Sequence, residues 1–302
     1  MDPSIVEHYQ TAAKVHNLCR KKANEMIQPG VKLLDIAEEI EALTLKHGCG
    51  IAFPVNLSLN DIAAHYTPPA KDDAIVSKGD VLKVDIGVHH EGYIVDAALT
   101  LDFSGDKEVA NLLAATQAAL EAGFSNVKEG VSVSDLGKAI EETFTKYRVD
   151  PVENLSGHGV DQYTAHCSPT IPNVESGDSD VLENDCAYAM EPFGSIRGNG
   201  RISEGSQIEI FEIDEKNNMV RSPNARKLWD FCAETYDDLP FAERWLARDL
   251  DMSDFSRKIA LRELVKFGAL QAHPVLREKK GAMVAQFETT MLINDGKVIR
   301  LV

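Results

Sequence analysis

Asp85 lies in VLKVDIGV and Asp96 in YIVDAAL, each inside a run whose other residues seek a core. A buried carboxylate is too costly to keep ionised without a cation or strong hydrogen-bond donors. The HEGY segment between the two runs reads as a hairpin turn at Gly92, which lays the arms side by side and lets both carboxylates approach one point. His158 between glycines in SGHGV, Glu191 in YAMEPFG and Glu288 in AQFETTML are likewise polar residues set in apolar, strand-like runs. The four carboxylates carry a formal charge of −4, which two divalent ions would balance, and bridging carboxylates hold such ions roughly 3.5 to 4 Å apart. An oxygen-rich set with one imidazole suits Mn, Fe, Co or Zn better than a thiolate-selective metal. Singly each signal is weak, because an Asp in a strand can sit at an edge and a Gly-His-Gly can be a plain loop.

The other histidines and the cysteines read differently. His8, His16 and His47 fall on helical runs or their ends, as surface or packing residues, and His89 and His90 decorate the hairpin turn. Cys167 beside His166 suggests a thiol nucleophile, yet no second His and amide pattern supports one. The five cysteines are odd in number and lack a CxxC pair in a chain of 302 residues. They read as reduced, mostly buried thiols.

Helices and strands must bring these groups together. Ile5, Tyr9, Ala12, Val15, His16, Cys19, Ala23 and Met26 recur at helical spacing until Pro29-Gly30 and predict a long first helix. A second is predicted over about 33–46, with Gly48 where a C-terminal cap is expected. The chain then runs extended through IAFPVNLSLN and the Asp85/Asp96 hairpin. Helices over 107–125 and 132–147 follow, and then extended runs at CAYAMEPFG, QIEIFEI and AMVAQFETTMLI. The order helix, helix, strands occurs twice, which predicts two related halves around one sheet-lined cleft. A mostly helical stretch over 223–274 reads as an inserted subdomain. It packs on the main body through stripes at Phe241, Trp245 and Leu246 and at Ile259, Leu261, Leu264, Val265 and Leu270.

Composition narrows the function class. With 31 Lys and Arg against 48 Asp and Glu, the formal net charge is −17, so the surface repels phosphate backbones and anionic lipid. No basic segment followed by an apolar run opens the chain, and no stretch of 18 apolar residues occurs. A cytoplasmic protein without nucleic-acid or membrane partners is expected.

Five strings, AFPVNLSLNDIAAHYTP, KVDIGVHHEGYIVDAALT, LSGHGVDQYTAHCSPTIPN, YAMEPFGS and AQFETTML, together resemble the type II methionine aminopeptidases within the pita-bread metallopeptidase family. The resemblance covers nearly all of the chain. It implies an α/β (α+β) pita-bread, creatinase/aminopeptidase-like fold over 1–302, with two pseudo-symmetric halves. FAERWLARDL and VKFGALQAHPVL make 223–274 similar to the helical, winged-helix-like insertion of type II enzymes. With no extension ahead of the catalytic body, the chain looks like the short archaeal form.

By the same resemblance Asp85, Asp96, His158, Glu191 and Glu288 match five ligands of two divalent ions (Co, Mn, Fe or Zn), with Asp96 and Glu288 bridging. A hydroxide between the ions would attack the first peptide carbonyl. Glu191 doubles as proton shuttle, His65 and His166 are substrate-touching histidines, and Phe53 and His273 line the pocket for the first side chain. The implied substrate is the N-terminal initiator methionine of nascent polypeptides with a small second residue. The implied state is a monomer, with the ribosome as a partner the sequence leaves open. Thr289 stands where the family usually has His, and His273 where Tyr is common. Thr289 is expected to alter support of Glu288, and His273 to reshape the pocket. The rivals are a prolidase or aminopeptidase P using the same ligands, and a non-catalytic scaffold, which would have no use for five core-embedded ligands.

Overall fold

The computed structural model describes residues 1–214, 220 and 222–302. Helix α1 (Pro3–Met26) starts where the Asp2 carboxylate accepts the Ser4 N–H and Pro3 occupies the first turn, where a missing N–H costs nothing. It buries Tyr9, Ala12, Val15, His16, Cys19 and Ala23, the stripe the sequence shows. Helix α2 (Leu33–Lys46) ends at His47, and Gly48 follows at φ 76°, the left-handed conformation a helix terminus favours in glycine. Strands β1 (Gly50–Leu59), β2 (Ile62–Ala64), β3 (Val81–His90) and β4 (Tyr93–Asp102) complete the first half.

The second half repeats the order with α3 (Lys107–Ser125), α4 (Val133–Tyr147), β5 (Asp150–Pro151), β6 (Ser156–Asp161), β7 (Thr164–Pro172), β8 (Cys186–Met190), β9 (Phe193–Ile196) and β10 (Ser203–Ile213). Then come α5 (Pro223–Thr235), β11 (Phe241–Ala242), α6 (Glu243–Asp249) and α7 (Asp254–Lys266). Strands β12 (Leu270–Arg277), β13 (Met283–Gln286), β14 (Thr289–Asn294) and β15 (Lys297–Arg300) close the chain. Four sheets result, ordered β1-β3-β4, β11-β10-β12-β2, β13-β9-β5 and β15-β14-β8-β6-β7. Among the described residues no helix is long and apolar enough to cross a membrane.

Four local expectations change. The runs CAYAMEPFG and AMVAQFETTMLI are not single strands. Each breaks at its glutamate, and the two pieces belong to different sheets, β8 and β9 in one case and β13 and β14 in the other. Pro192 has no N–H to continue a ladder, which explains the first break. The helices of the inserted segment end at Lys266, and Leu270–Arg277 is strand paired to β10, because its alternating pattern suits a sheet more than a helix. Ile259 is 45 % exposed rather than packed, whereas Leu261 and Leu264 are buried. Finally, TAHCSPTIP, which falls in none of the predicted elements, is a strand, β7, antiparallel to β6. Glycine hides that pairing from a periodicity reading. A Cβ on Gly157 would lie 2.4 Å from the Ala189 carbonyl oxygen, so the strand must pass there without a side chain.

Candidate active site

The β3–β4 hairpin turns through Glu91 and Gly92, both at positive φ (52° and 84°), the two-residue geometry that matches strand twist. Its register pairs Asp85 with Ala98 and Gly87 with Asp96. Asp85 and Asp96 are therefore diagonal neighbours on one face, since side chains two residues apart point the same way. Gly87 sits between Asp96 and Phe53, its partners on the two flanking strands. A Cβ there would lie 2.3 Å from the Phe53 ring, so this glycine lets Phe53 lie across the hairpin beside the aspartates.

Glu191 follows β8 and Glu288 precedes β14, each at the point where the chain leaves one sheet for another. Backbone freed from a ladder can aim a carboxylate into the cleft between sheets. Two threonines fix the second crossing against β4. Thr100 Oγ1 donates to the Gln286 carbonyl (2.7 Å) and accepts the Gln286 N–H, while Thr290 Oγ1 accepts the Asp96 N–H (2.7 Å) and donates to the Asp96 carbonyl (2.6 Å). The Glu288 N–H also donates to the Ala98 carbonyl, 3.0 Å away. Asp96 and Glu288 are thus brought together by backbone stitching on either side of them.

His158 comes from the buried middle of β6. Its Nδ1 lies 3.0 Å from the Gly159 carbonyl, so Nδ1 carries the proton and Nε2 presents a lone pair. That Nε2 is 3.4 Å from Glu191 Oε1 and 3.8 Å from Asp96 Oδ2. Potential ligand atoms of Asp96, His158 and Glu288 all lie within 4.8 Å of one another. Gln286 Nε2 donates to Glu191 Oε2 (3.1 Å) and Glu288 Oε2 (3.4 Å), so one amide supports two carboxylates.

These groups are held against their electrostatic preference. Burial pushes Asp85 up to about 6. Burial, then the charge of Asp85 and Glu191, pushes Asp96 well above the ordinary carboxylate range. Burial and then neighbouring carboxylates do the same to Glu191 and Glu288. Burial holds the His158 imidazole down at about 4, so it stays neutral and able to ligate. Asp85 Oδ1, Asp96 Oδ1 and Glu288 Oε1 are shut off from solvent with no hydrogen-bond partner. Unpaired, such atoms are costly. Divalent metal bound among these residues would give such atoms partners, and the donor set of four carboxylates and one neutral imidazole fits a hard to borderline metal.

A cavity of about 250 Å³ opens onto this cluster. Asp85, Asp96, His158, Glu191, Phe53, His65, His166 and His273 all line it, and Glu288 stands behind Asp96. His65 adopts φ 62° and its Nδ1 lies 3.3 Å from the Pro274 carbonyl. Burial, then His273, holds it at about 4. The His166 ring is 4.2 Å, centroid to centroid, from that of His158. Surrounding protein, and then His158, His65 and His273, hold His166 well below the usual imidazole range. His166 is exposed along the cavity, so solvent tempers the part of this lowering that burial supplies.

The structure adds residues that the sequence reading passed over. Asn56, opposite Asp85 in the register, lines the cavity with its Oδ1 unpaired. Phe193, Ile210, Pro240 and Leu276 complete the apolar wall. Only the turn-like Pro192 beside Phe193, and the alternation of QIEIFEI, hinted at any of them. Thr289, expected to act on Glu288, bonds elsewhere. Its hydroxyl donates to the Val302 carbonyl (2.5 Å) and accepts from Arg300 (3.2 Å), and Gln286 supports Glu288 instead. His16 and His89 are structural. His16 lies 3.0 Å from the Ile86 carbonyl, and His89 Nδ1 accepts the Gly92 N–H. The five cysteines are free thiols.

Comparison with known proteins agrees with this geometry. The model of "Metallopeptidase family M24" matches residues 7–224. A methionine aminopeptidase of Archaeoglobus fulgidus is 39% identical over 296 residues, 98% of both chains. One of Thermococcus onnurineus is 41% identical over 283 residues, 93% of this chain and 94% of its own. Among solved structures, a thermophilic Arx1 aligns over 100% of this chain and 91% of its own, with TM-score 0.86 at 18% identity. A methionine aminopeptidase from Thermotoga maritima aligns over 100% and 97%, with TM-score 0.71 at 20% identity. The prolidase from Pyrococcus furiosus reaches TM-score 0.60 at 15% identity, over 100% of this chain and 64% of its own. These three show the shared pita-bread fold, and the archaeal sequences show the branch. With a family match over most of its length and near-full-length relatives at about 40% identity, the chain belongs to metallopeptidase family M24 and groups with the archaeal methionine aminopeptidases.

Proposed function

We propose that this protein removes the initiator methionine from polypeptides with a small second residue, using two divalent ions held by Asp85, Asp96, His158, Glu191 and Glu288. The observation that carries this reading is the set of three orphaned, solvent-inaccessible carboxylate oxygens facing a neutral His158 at the floor of the cavity. When bound, such ions supply Lewis acidity and a water acidified enough to attack an amide near neutral pH. Everything else is the work of the chain. Glu191, pinned by Gln286 through one oxygen and facing His158 with the other, is placed to carry a proton from the attacking water to the leaving amine. His166, kept neutral, donates a hydrogen bond to the reacting peptide group without bringing a charge into the site. His65, its Nδ1 turned to the Pro274 carbonyl, would offer Nε2 to the substrate.

Size supports a short substrate head. About 250 Å³ corresponds to on the order of eight waters at ~30 Å³ each, room for one unbranched side chain and a small neighbour. Phe53, Ile210, Phe193 and Leu276 supply an apolar slot, while His273 adds one polar edge. The proposal extends to cytoplasmic work on nascent chains by a monomer.

Peptide hydrolysis tests the reading. Protein stripped of metal and reloaded stepwise with Mn, Fe, Co or Zn should cleave Met-Ala-Ser and Met-Gly peptides well, and Met-Leu or Met-Lys peptides poorly. Equal rates on bulky second residues, or an X-Pro peptide as best substrate, would replace methionine removal with prolidase-like chemistry.

A further inference from the structure

Strand β12 lies between β10 and β2, and a residue from each flanking strand converges on His273. From β10 comes Glu212, diagonal to His273 across the register that pairs Ile210 with His273 and Glu212 with Gln271. Its Oε2 lies 3.0 Å from His273 Nε2, with the two side chains 27% and 14% exposed. Just past the end of β2 comes His65, whose ring meets that of His273 edge-on at 5.8 Å and 87°. The carbonyl that accepts His65 Nδ1 belongs to Pro274, the next residue along β12. His65 is therefore held on two sides by the His273–Pro274 dipeptide.

Two features make this more than packing. His65 stands at φ 62°, a conformation that a β-carbon disfavours and that persists only where surroundings impose it. His273 is one of the groups packed against it, and an imidazole on a cavity wall has no preferred ring angle of its own, since its terminal torsion is broad. A carboxylate acceptor removes that freedom. It fixes the ring and requires the proton on Nε2.

Building on the aminopeptidase reading above, we propose that Glu212 is a positioning residue for substrate recognition. Its carboxylate fixes the His273 imidazole, which buttresses His65 against the cavity and so sets the grip on the first residue of the peptide. Glu212 itself does not line the cavity, so it acts through His273 and touches no reacting atom.

The test uses steady-state cleavage of a Met-Ala-Ser peptide by the fully metal-loaded protein. Glu212→Ala should lower kcat/KM about tenfold, carried by KM rather than kcat, as expected when an orienting partner is lost. Metal content should stay at the wild-type level. Glu212→Gln, whose amide oxygen still accepts the Nε2 proton, should recover most of the loss. In a His273→Ala background, Glu212→Ala should add nothing, because the route between Glu212 and the substrate has been removed. Proton NMR gives a readout independent of turnover: the hydrogen-bonded Nε2–H signal of His273 should be present in wild type and lost in Glu212→Ala. Wild-type KM in Glu212→Ala, or additive effects in the double variant, would overturn the proposal. A wild-type protein that cleaves no methionyl peptide but shows the Nε2–H signal would remove the aminopeptidase reading and leave the anchoring of His273 standing.

Discussion

Two sets of buried carboxylates in this molecule are treated in opposite ways. Glu41, on α2, is 4% exposed, and its neighbours satisfy both of its oxygens. Oε1 accepts the Val55 N–H (3.1 Å) and the Arg244 guanidinium, and Oε2 accepts Trp245 Nε1 at 2.9 Å. Arg244 also donates to Thr67 Oγ1 (2.5 Å) and the Pro68 carbonyl (3.2 Å), so the knot ties α2, β1, the segment after His65 and the inserted helix α6. Asp85, Asp96, Glu191 and Glu288 are buried or nearly so in the same protein, with no Arg or Lys paired to them among the described residues and with three orphaned oxygens. Where a carboxylate serves the fold, the chain brings its own cation. Where it gathers four with no cation of its own among the described residues, the arrangement suits the divalent metal that the metallopeptidase family implies.

The largest effect that could break this contrast is loss of the outside cation. Asp96→Asn should lose most bound metal, measured by elemental analysis, and nearly all peptide hydrolysis. Chelating the wild type should do the same and lower its melting temperature, because an ion at a hundred times its Kd stabilises a fold by about 2.7 kcal/mol. The Glu41 knot should answer in the other way. Arg244→Ala leaves a buried charge unpaired and should destabilise by about 3–5 kcal/mol in denaturant titration, while the folded fraction keeps its metal.

Next come the cavity histidines. His65→Ala and His166→Ala should each lower kcat/KM on the order of a hundredfold, the scale of a lost proton-transfer or oxyanion donor, with metal content unchanged. His158→Ala should instead lose metal, and a His166 variant that also lost it would mean that a ligand has been misplaced. Smaller still is selectivity. Phe53→Ala should narrow the preference for methionine over leucine or norleucine, a discrimination worth about 1 to 3 kcal/mol. Gly87→Ala should do the same through a displaced Phe53 ring.

The smallest effect is a pH dependence. In the metal-free fold Asp85 is raised to about 6 and Asp96, Glu191 and Glu288 are raised further. A carboxylate raised above its unfolded value contributes stability at low pH that is lost as pH climbs through the raised value. Metal binds the deprotonated forms, so binding expels protons and weakens as pH falls. The gap in melting temperature between loaded and metal-free protein should therefore widen from pH 5 to pH 8. A gap constant with pH would separate the carboxylates from the metal.

The sequence makes the β3–β4 part of the site the most legible, because Asp85 and Asp96 interrupt apolar alternation on both arms of one turn and a tight hairpin leaves little freedom in register. Glu191 and Glu288 stand out as polar residues in apolar runs, but the reason they reach the cleft is the change of sheet at each, which periodicity does not encode. His158 stands out as a polar residue in a strand-like run although Gly157 and Gly159 weaken the alternation of β6, and His166 is visible only through its string. The roles of Glu41, Gln286 and Glu212 are invisible in sequence. Each is an ordinary polar residue whose partner lies far along the chain, at Arg244, Glu191 or His273.

Whether the four carboxylates form a metal site is decided by calorimetric titration of metal-free protein with Mn²⁺. Saturable binding of two ions per chain is expected, with proton release detected as a dependence of the heat on the buffer, and loss of binding in Asp96→Asn. Absence of binding, together with a chelated protein that melts and cleaves peptide as the untreated one does, would contradict the metal site.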